Sequence, residues 1–266
     1  MNITMTNLAF TYPSGVEALR GITLTIESGE AVAIVGENGA GKTTLVKHFN
    51  GLLRPSGGSV VVGEWDTTRY SVAKLASRVG YVFQNPDDQL FERTVIKEVS
   101  FGPRNLGRSD AESRAAGLAA LATVELQDQE KTHPYDLHLS QRKLLALAAV
   151  LAMRTPVIVL DEPTTGQDAR GLAIIGRTME QLKSERRTVV TITHDIDFAA
   201  EHFERVVVMA KGQVLADGPA EKVLGQAEVL LGAEVEPPQL ARLAHALGLQ
   251  ATPLTPADFV SRMERR

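Results

Sequence analysis

The chain has 266 residues, of which 44% are hydrophobic and 23% charged, with a formal net charge of −4. These values are typical of one large globular domain with a small appendage, and the acidic balance gives no reason to expect nucleic acid as a ligand. The chain has no cysteine, which excludes disulfides, thiolate metal sites and cysteine nucleophiles. Its apolar runs are too short to span a bilayer, so we expect any role at a membrane to be that of a peripheral subunit.

Apolar runs predict two kinds of strand in chain order. The early runs, near residues 3–10 and 22–26, alternate with polar residues, which is typical of an antiparallel layer. Later runs are rich in Val and Ile on both faces, which is typical of central parallel strands covered by helices. These runs lie at 31–35, 79–83, 157–160 and 189–193, and further strands are predicted at 59–62, 206–209 and 213–216.

Helical patterns occupy the middle and the end of the chain. Between Pro86 and Pro156 the strand pattern disappears and helices are predicted over 111–123 and 141–153, which we interpret as an inserted helical subdomain over about 86–156. After about Leu224, prolines punctuate two short amphipathic helices near 239–247 and 256–263. This pattern predicts a C-terminal extension over 225–266 that is too small to hold its own core.

The most specific motif is Gly36-Glu37-Asn38-Gly39-Ala40-Gly41-Lys42-Thr43, directly after the predicted strand 31–35. Its glycines let the backbone curl with the amides facing phosphate oxygens. Lys42 is expected to reach the β- and γ-phosphates and Thr43 to offer a hydroxyl to Mg²⁺. The helix predicted over 41–49, which includes Thr44, presents its positive end to the same anion. The motif therefore predicts that the chain binds a nucleoside triphosphate.

A second motif is the apolar strand 157–160, which ends in Asp161 and Glu162. In proteins with a phosphate loop, an acidic residue at this strand tip helps to hold Mg²⁺, which predicts that role for Asp161. Glu162 is placed to orient or deprotonate the attacking water. A strand ending in two carboxylates is by itself more often the start of a solvated loop, but the phosphate loop favours the catalytic interpretation.

The segment Asp161-Glu162-Pro163-Thr164-Thr165-Gly166-Gln167-Asp168, with Gln84 upstream and Thr193-His194-Asp195 downstream, resembles the ATP-binding cassette (ABC) family. The resemblance covers residues 1 to about 224, which it identifies as an ABC ATPase domain. It implies the α/β fold of P-loop NTPases, with a mixed central sheet, an antiparallel β layer, an inserted helical subdomain and a small C-terminal helical appendage. It also implies ATP and Mg²⁺ as cofactors.

Within the family, the chain is most similar to the ATPases of energy-coupling factor transporters, which take up vitamins and transition-metal ions. This similarity rests on the segment Gln84-Asn85-Pro86-Asp87-Asp88-Gln89-Leu90-Phe91, on the turn at 165–168 and on the C-terminal extension. The resemblance implies an enzyme that hydrolyses ATP to drive transport.

The resemblance assigns roles to individual residues. Gln84 is expected to contact Mg²⁺ and the attacking water, and His194 to contact the γ-phosphate and hold Glu162. Asp168 is expected to cross to a partner ATPase. Tyr12 is expected to stack on the adenine, with core packing as the open alternative. The predicted catalytic residues are Glu162, His194 and Gln84. The predicted metal ligands are Thr43, Gln84 and Asp161. The predicted ATP contacts are Tyr12, Gly36, Glu37, Asn38, Gly39, Ala40, Gly41, Lys42, Thr43, Thr44, Ser140 and Asp168.

The chain departs from the family at the signature, normally Leu-Ser-Gly-Gly-Gln. Here Leu139-Ser140-Gln141-Arg142-Lys143 keeps the serine but lacks both glycines. In the best register with the family, two residues are missing before Gln141, so the signature is shortened. Two residues of backbone span about 7 Å, more than a hydrogen bond can bridge. In the family this segment clamps the γ-phosphate held by the other subunit of a dimer. We therefore expect a heterodimer, in preference to a homodimer, in which this chain's own site hydrolyses ATP and the opposite site is weak. A deletion in the sequence, or adequate substitution by Gln141 and Arg142, is the open alternative.

The leading hypothesis is a peripheral ATPase on the cytoplasmic face of the cell membrane. Its expected partners are a second ABC ATPase, a transmembrane coupling subunit and a substrate-binding membrane subunit, with no nucleic acid. The loop from Gln84 through Phe101 is expected to pass movement to the transmembrane partner. The C-terminal extension is expected either to dimerise the ATPases or to pack on the cassette. The alternative function is a soluble ABC ATPase acting on nucleic acid or ribosomes, against which the acidic balance argues.

Overall fold

The computed structural model describes residues 1–249 and 252–264. Ten strands in the described chain form two sheets: β1 Ile3–Thr11, β2 Glu17–Ile26, β3 Ala31–Val35, β4 Gly57–Val62, β5 Trp65–Asp66, β6 Val79–Val82, β7 Val157–Asp161, β8 Thr188–Ile192, β9 Arg205–Ala210 and β10 Gln213–Pro219. The helices are α1 Lys42–Lys47, α2 Val72–Leu75, α3 Val95–Asn105, α4 Asp110–Thr123, α5 Leu139–Met153, α6 Ala169–Ser184, α7 Ile196–His202, α8 Ala220–Leu224, α9 Ala227–Gly232, α10 Gln239–Ala246 and α11 Pro256–Glu264.

The two sheets differ in the direction of their strands. The smaller sheet has the order β2-β1-β4-β5 and is antiparallel throughout. The larger sheet has the order β10-β9-β3-β8-β7-β6, in which only β10 runs antiparallel to its neighbour. The predicted α/β fold, with a mixed central sheet and an antiparallel layer, is therefore confirmed.

Side chains of the central sheet point alternately into two cores, as the pleat of a strand requires. In β7, Val157 and Val159 pack between the two sheets against residues such as Ile3 and Met5 of β1. Ile158 and Leu160 point to the other face, where the helices cover the sheet. This burial on both faces explains why the central strands read as continuous apolar runs and were predicted correctly.

The helical subdomain is formed by α3, α4 and α5, and within the described chain no strand lies between Val82 and Val157. Close packing depends on Gly102 and Gly117, where an added Cβ would lie 2.5 Å from Met153 Cγ and 2.7 Å from Val99 Cγ2. Helix α3 was not predicted, because Gly102 and Pro103 interrupt its pattern near the C-terminal end.

Several predicted boundaries need correction, among them the end of β10, which extends to Pro219 instead of 216. Helix α5 begins at Leu139 instead of 141, because Gln141 Oε1 accepts a hydrogen bond from the His138 amide (3.2 Å) and closes the first turn. Helix α1 ends at Lys47, two residues earlier than predicted, in a tight turn from His48 N to Leu45 O (3.2 Å). Strand β2 begins at Glu17, well before residue 22, because its first half pairs with β1.

The first part of the C-terminal extension packs into the main hydrophobic core. Leu230, Ala233 and Val235 are buried in the cluster that contains Val208 and Ala210 of β9. Helices α10 and α11 match the predicted ranges to within one residue at each end. In the described part of the chain, no helix combines the length and the apolar character that crossing a membrane demands.

Candidate active site

Most of the predicted site residues surround one cavity of about 540 Å³. The phosphate loop forms one wall, and the end of β7 and the loop after β6 contribute the other polar groups. The predicted residues that line the cavity are Tyr12, Asn38, Gly39, Gly41, Lys42, Thr43, Thr44, Gln84 and Glu162. A neighbouring cavity of about 620 Å³ is lined by the other side of the loop, with Gly36 and Glu37, and by His194.

The phosphate loop needs its glycines for different reasons. An added Cβ would lie 2.1 Å from Met209 O at Gly36 and 2.6 Å from Ala18 O at Gly41, so the neighbouring backbone excludes any side chain. At Gly39, with φ of 86°, no atom lies within 4 Å of an added Cβ. The loop is therefore fixed at both ends and open at Gly39, an arrangement that suits phosphate oxygens.

Lys42 is buried at the floor of the cavity. Its Nζ donates to Gly36 O (2.7 Å) and to Glu37 O (2.9 Å). Burial lowers the pKa of Lys42, and the charges of Glu162, Asp161 and Glu37 act in the opposite direction. The Lys42 ammonium is thus hydrogen-bonded to two neutral carbonyl oxygens. Phosphate oxygens bound in the cavity would supply the negative charge that these carbonyls lack.

Asp161 is hydrogen-bonded both to the end of the phosphate loop and to the neighbouring strand β6. Its Oδ1 accepts from Thr43 Oγ1 (3.2 Å) and its Oδ2 from Tyr81 Oη (2.8 Å). Burial raises the pKa of Asp161, while the hydrogen bonds from Tyr81 and Thr43 lower it. Carboxylate and hydroxyl oxygens are hard donors of the kind that Mg²⁺ prefers, so this pair fits the ion. Sequence reasoning missed Tyr81, because an aromatic residue inside a buried strand gives no signal beyond core packing.

Glu162 and His194 form a close pair at the ends of β7 and β8. His194 Nδ1 lies 2.7 Å from Glu162 Oε2, and the His194 amide donates to the same oxygen (3.3 Å). Glu162 is 5% exposed and has a left-handed backbone with φ of 50°. Its own amide donates to Ile192 O (2.9 Å). The carboxylate is thus oriented by groups of the neighbouring strand end.

Gln84 lies at the cavity edge in the loop that follows β6. Gln89 anchors this loop, because its Oε1 accepts from the Phe83 amide (3.1 Å) and its Nε2 donates to Ala146 O of α5 (2.8 Å). Gln89 belongs to the segment 84–91 on which the family resemblance rests, but no role was predicted for it. Gln89 thus ties the backbone next to Gln84 to α5.

Tyr12 both lines the cavity and packs against the protein. Its Oη lies 2.9 Å from Thr44 Oγ1, and its ring meets Phe10 edge to face with centroids 4.9 Å apart. The ring remains part of the cavity wall. The two alternatives offered for Tyr12, stacking on a base and core packing, are therefore compatible in this geometry.

Several predicted residues do not line the main cavity. Ser140 Oγ donates to Gln167 Oε1 (2.7 Å), and Asp168 Oδ1 accepts from the Gly171 amide (2.7 Å) as the N-cap of α6. The Glu37 amide donates to Ala233 O of the C-terminal extension (3.1 Å), and the buried Ala40 donates to Glu37 O (3.2 Å). Glu37 and Ala40 therefore shape the loop within the chain itself.

Comparison with known proteins gives a consistent result. A sequence profile of the family described as ABC transporter matches residues 19–165. A putative ABC transporter ATP-binding protein of Methanothermobacter marburgensis is 39% identical over 247 residues, which cover 92% of this chain and 89% of the relative. The energy-coupling factor transporter ATP-binding protein EcfA of Methanosphaera stadtmanae is 38% identical over 244 residues, covering 91% and 87%.

The solved structures include CbiO1 of Clostridium perfringens, described as part of the ABC transporter complex CbiONQ. It is 34% identical, with a TM-score of 0.76, and the match covers 93% of this chain and 98% of that one. The similarity therefore extends over nearly the whole chain, including part of the C-terminal extension.

Proposed function

The chain belongs to the ABC transporter family, and on that premise we propose that it is the ATPase subunit of an energy-coupling factor importer. ATP-binding subunits of this family hydrolyse ATP and couple the reaction to transport, and this chain is an ATPase of that kind. The proposed cargo is a vitamin or a transition-metal ion. The proposed location is the cytoplasmic face of the cell membrane, as a peripheral subunit.

The site geometry supports specific roles in hydrolysis. Lys42 and the loop amides would bind the triphosphate, and Tyr12 would contact the base. Thr43 and Asp161, with Gln84 at the cavity edge, would hold Mg²⁺, which would neutralise charge on the phosphates when bound. Glu162, oriented by His194, would accept a proton from the attacking water.

One observation on the helical subdomain carries the proposal of a transmembrane partner. Phe91 is 60% exposed and Phe101 is 36% exposed, and their rings meet edge to face with centroids 4.7 Å apart. Two large aromatic side chains exposed together are typical of an interaction surface. Phe91 is the last residue of the segment 84–91, and Gln84 at its other end lines the ATP cavity. A partner bound to the Phe91–Phe101 pair would therefore be connected to the cavity through this segment.

The assembly proposed here follows the family. Energy-coupling factor ATPases work as dimers with transmembrane partners, and we assign this chain a transmembrane coupling subunit and a substrate-binding membrane subunit. The shortened signature favours a second, different ATPase as the dimer partner. In the C-terminal extension Leu231 is 69% exposed, and Leu243 and Val260 are also exposed, which supports a dimerisation role for residues 225–266.

A matched pair of variants tests the proposal. The tagged chain is expressed in its native organism and purified after detergent extraction of the membranes. Integral membrane proteins that co-purify with it are identified by mass spectrometry. We expect a hydrophobic subunit to co-purify with the wild-type chain and to be lost from Phe91→Ser/Phe101→Ser, while both forms bind ATP equally. Equal recovery with both forms would contradict the assigned surface. ATP turnover stimulated by nucleic acid would favour the alternative of a soluble ABC ATPase.

A further inference from the structure

The first turn of α5, which carries the shortened signature, contacts two loops of its own chain. Ser140 Oγ donates to Gln167 Oε1 (2.7 Å) in the loop after β7. Arg142 Nη1 pairs with Asp87 Oδ1 (2.7 Å) in the loop after β6. Lys143 Nζ donates to the main-chain oxygen of Glu162 (3.3 Å). Both of these loops border the ATP cavity, so the polar side chains of the turn contact loops of their own chain's site.

Gly171 makes room for this arrangement, and Gly166 lies in ordinary contact with the same turn. An added Cβ at Gly171 would lie 2.0 Å from Gln167 Oε1 and 3.2 Å from Ser140 Oγ. At Gly166, an added Cβ would stand 3.6 Å from Leu139 Cδ2. The first turn of α5 is therefore seated closely against residues 166–171.

Lys143 contacts the chain at a strained backbone position of the site. Glu162 has φ of 50°, a left-handed conformation that non-glycine residues adopt at a cost and keep only where the surroundings enforce it. The Glu162 amide is fixed by Ile192 O (2.9 Å), and its carbonyl oxygen is the acceptor for the half-buried Lys143. The two contacts hold the peptide groups on either side of the Glu162 Cα.

We propose that Lys143 is a positioning residue, which holds the backbone of Glu162 so that its carboxylate meets His194 and the cavity. The shortened signature would then act on its own chain's ATP site through α5. This inference rests on the proposed ATPase function of that site, and it adds a residue that the predicted site did not contain.

The test uses Lys143→Met and Lys143→Arg in the assembled complex. Loss of one charge-assisted hydrogen bond predicts a kcat about 10-fold lower for Lys143→Met, with the Kd for ATP within about 2-fold of wild type. Lys143→Arg, which keeps a cationic donor, is expected to recover most of kcat. A matched control is Lys183→Met, since Lys183 Nζ also donates to a main-chain oxygen, that of His202 (3.0 Å), away from the cavity.

A second measurement decides the inference without turnover. Hydrogen–deuterium exchange is measured on the peptide that contains residues 160–166, in the chain alone. We expect faster exchange in Lys143→Met than in wild type, and no change in Lys183→Met. Unchanged exchange and unchanged kcat in Lys143→Met would overturn the role of Lys143. A different outcome separates the two proposals. If the wild-type complex fails to hydrolyse ATP but Lys143→Met still exchanges faster than wild type at residues 160–166, the proposed function is contradicted and the positioning contact is supported.

Discussion

Glu162 combines three properties that a general base requires: it is buried, oriented and at the cavity wall. Its Oε2 lies 2.7 Å from His194 Nδ1, and its backbone is fixed by Ile192. We expect Glu162→Gln to reduce turnover by about 100-fold or more, because an amide of the same shape cannot accept the proton. The Kd for ATP should stay close to the wild-type value, measured by equilibrium binding of a fluorescent analogue. Substantial residual turnover would remove Glu162 from this role.

Glu98 provides a pH-dependent test of the loop that carries Phe91. It is buried, and its Oε2 accepts from the amides of Phe91 (2.9 Å) and Glu92 (2.7 Å). Burial raises the pKa of Glu98, and the charge of Glu92 raises it further. The hydrogen bonds from the Phe91 and Glu92 amides lower it, but the net shift is upward. The folded chain thus binds the proton more tightly than the unfolded chain. The free energy of unfolding therefore falls as pH rises from the ordinary Glu pKa through the raised folded value.

The variant Glu98→Gln removes this titration and keeps an acceptor oxygen. We expect it to be more stable than wild type at neutral pH, with the difference closing as pH falls below the ordinary Glu pKa of about 4.3. Urea denaturation of both forms at a series of pH values measures the difference. A variant that is less stable than wild type at neutral pH, with the deficit closing at low pH, would show that the carboxylate is needed in its charged form.

The sequence predicted the residues of the site that belong to contiguous motifs. Lys42, Thr43, Asp161 and Glu162 stand in patterns whose spacing itself indicates phosphate and metal chemistry. Tyr81, Gln89 and Lys143 were not predicted, because each gains its contact only when distant segments meet in the fold. Tyr81 and Asp161, for example, are 80 positions apart in the chain.

At the scale of elements, Asp168 shows how a predicted interface residue also serves its own helix. Its Oδ1 caps α6 by accepting from the Gly171 amide (2.7 Å). We expect Asp168→Ala to lower the free energy of unfolding by about 1 kcal/mol, and Asp168→Asn to keep most of the cap. Chemical denaturation measures both. Equal destabilisation by the two variants would mean that the carboxylate charge, and not the cap, stabilises the fold.

Strands were predicted more completely than helices. The central strands are buried on both faces, so their Val- and Ile-rich runs stand out from the surrounding sequence. Helix α6 was missed, although Ile174, Ile175, Met179 and Leu182 are buried at helical spacing and would have indicated it. Helix α7 is only seven residues long, too short for a periodic pattern to be distinctive.

For the whole molecule, the C-terminal extension links overall stability to the phosphate loop. Leu230 and Val235 are buried in the main core, and Ala233 O accepts from the Glu37 amide (3.1 Å). Full burial of a Leu or Val side chain is worth about 1.5–3 kcal/mol. We expect deletion of residues 225–266 to lower Tm and weaken ATP binding, whereas deletion of residues 239–266 should have the smaller effect on both. Equal effects of the two truncations, in thermal unfolding and in ATP titration, would contradict this role of residues 225–238.

The most direct test of the proposed asymmetry compares ATP turnover by the purified chain alone with turnover in the presence of a second ABC ATPase that has an intact signature. We expect slow hydrolysis by the chain alone and a large increase in the mixture, which Lys42→Ala in this chain should abolish. Brisk hydrolysis by the purified chain alone would contradict the asymmetric heterodimer, because it would show that the shortened signature still completes an active site.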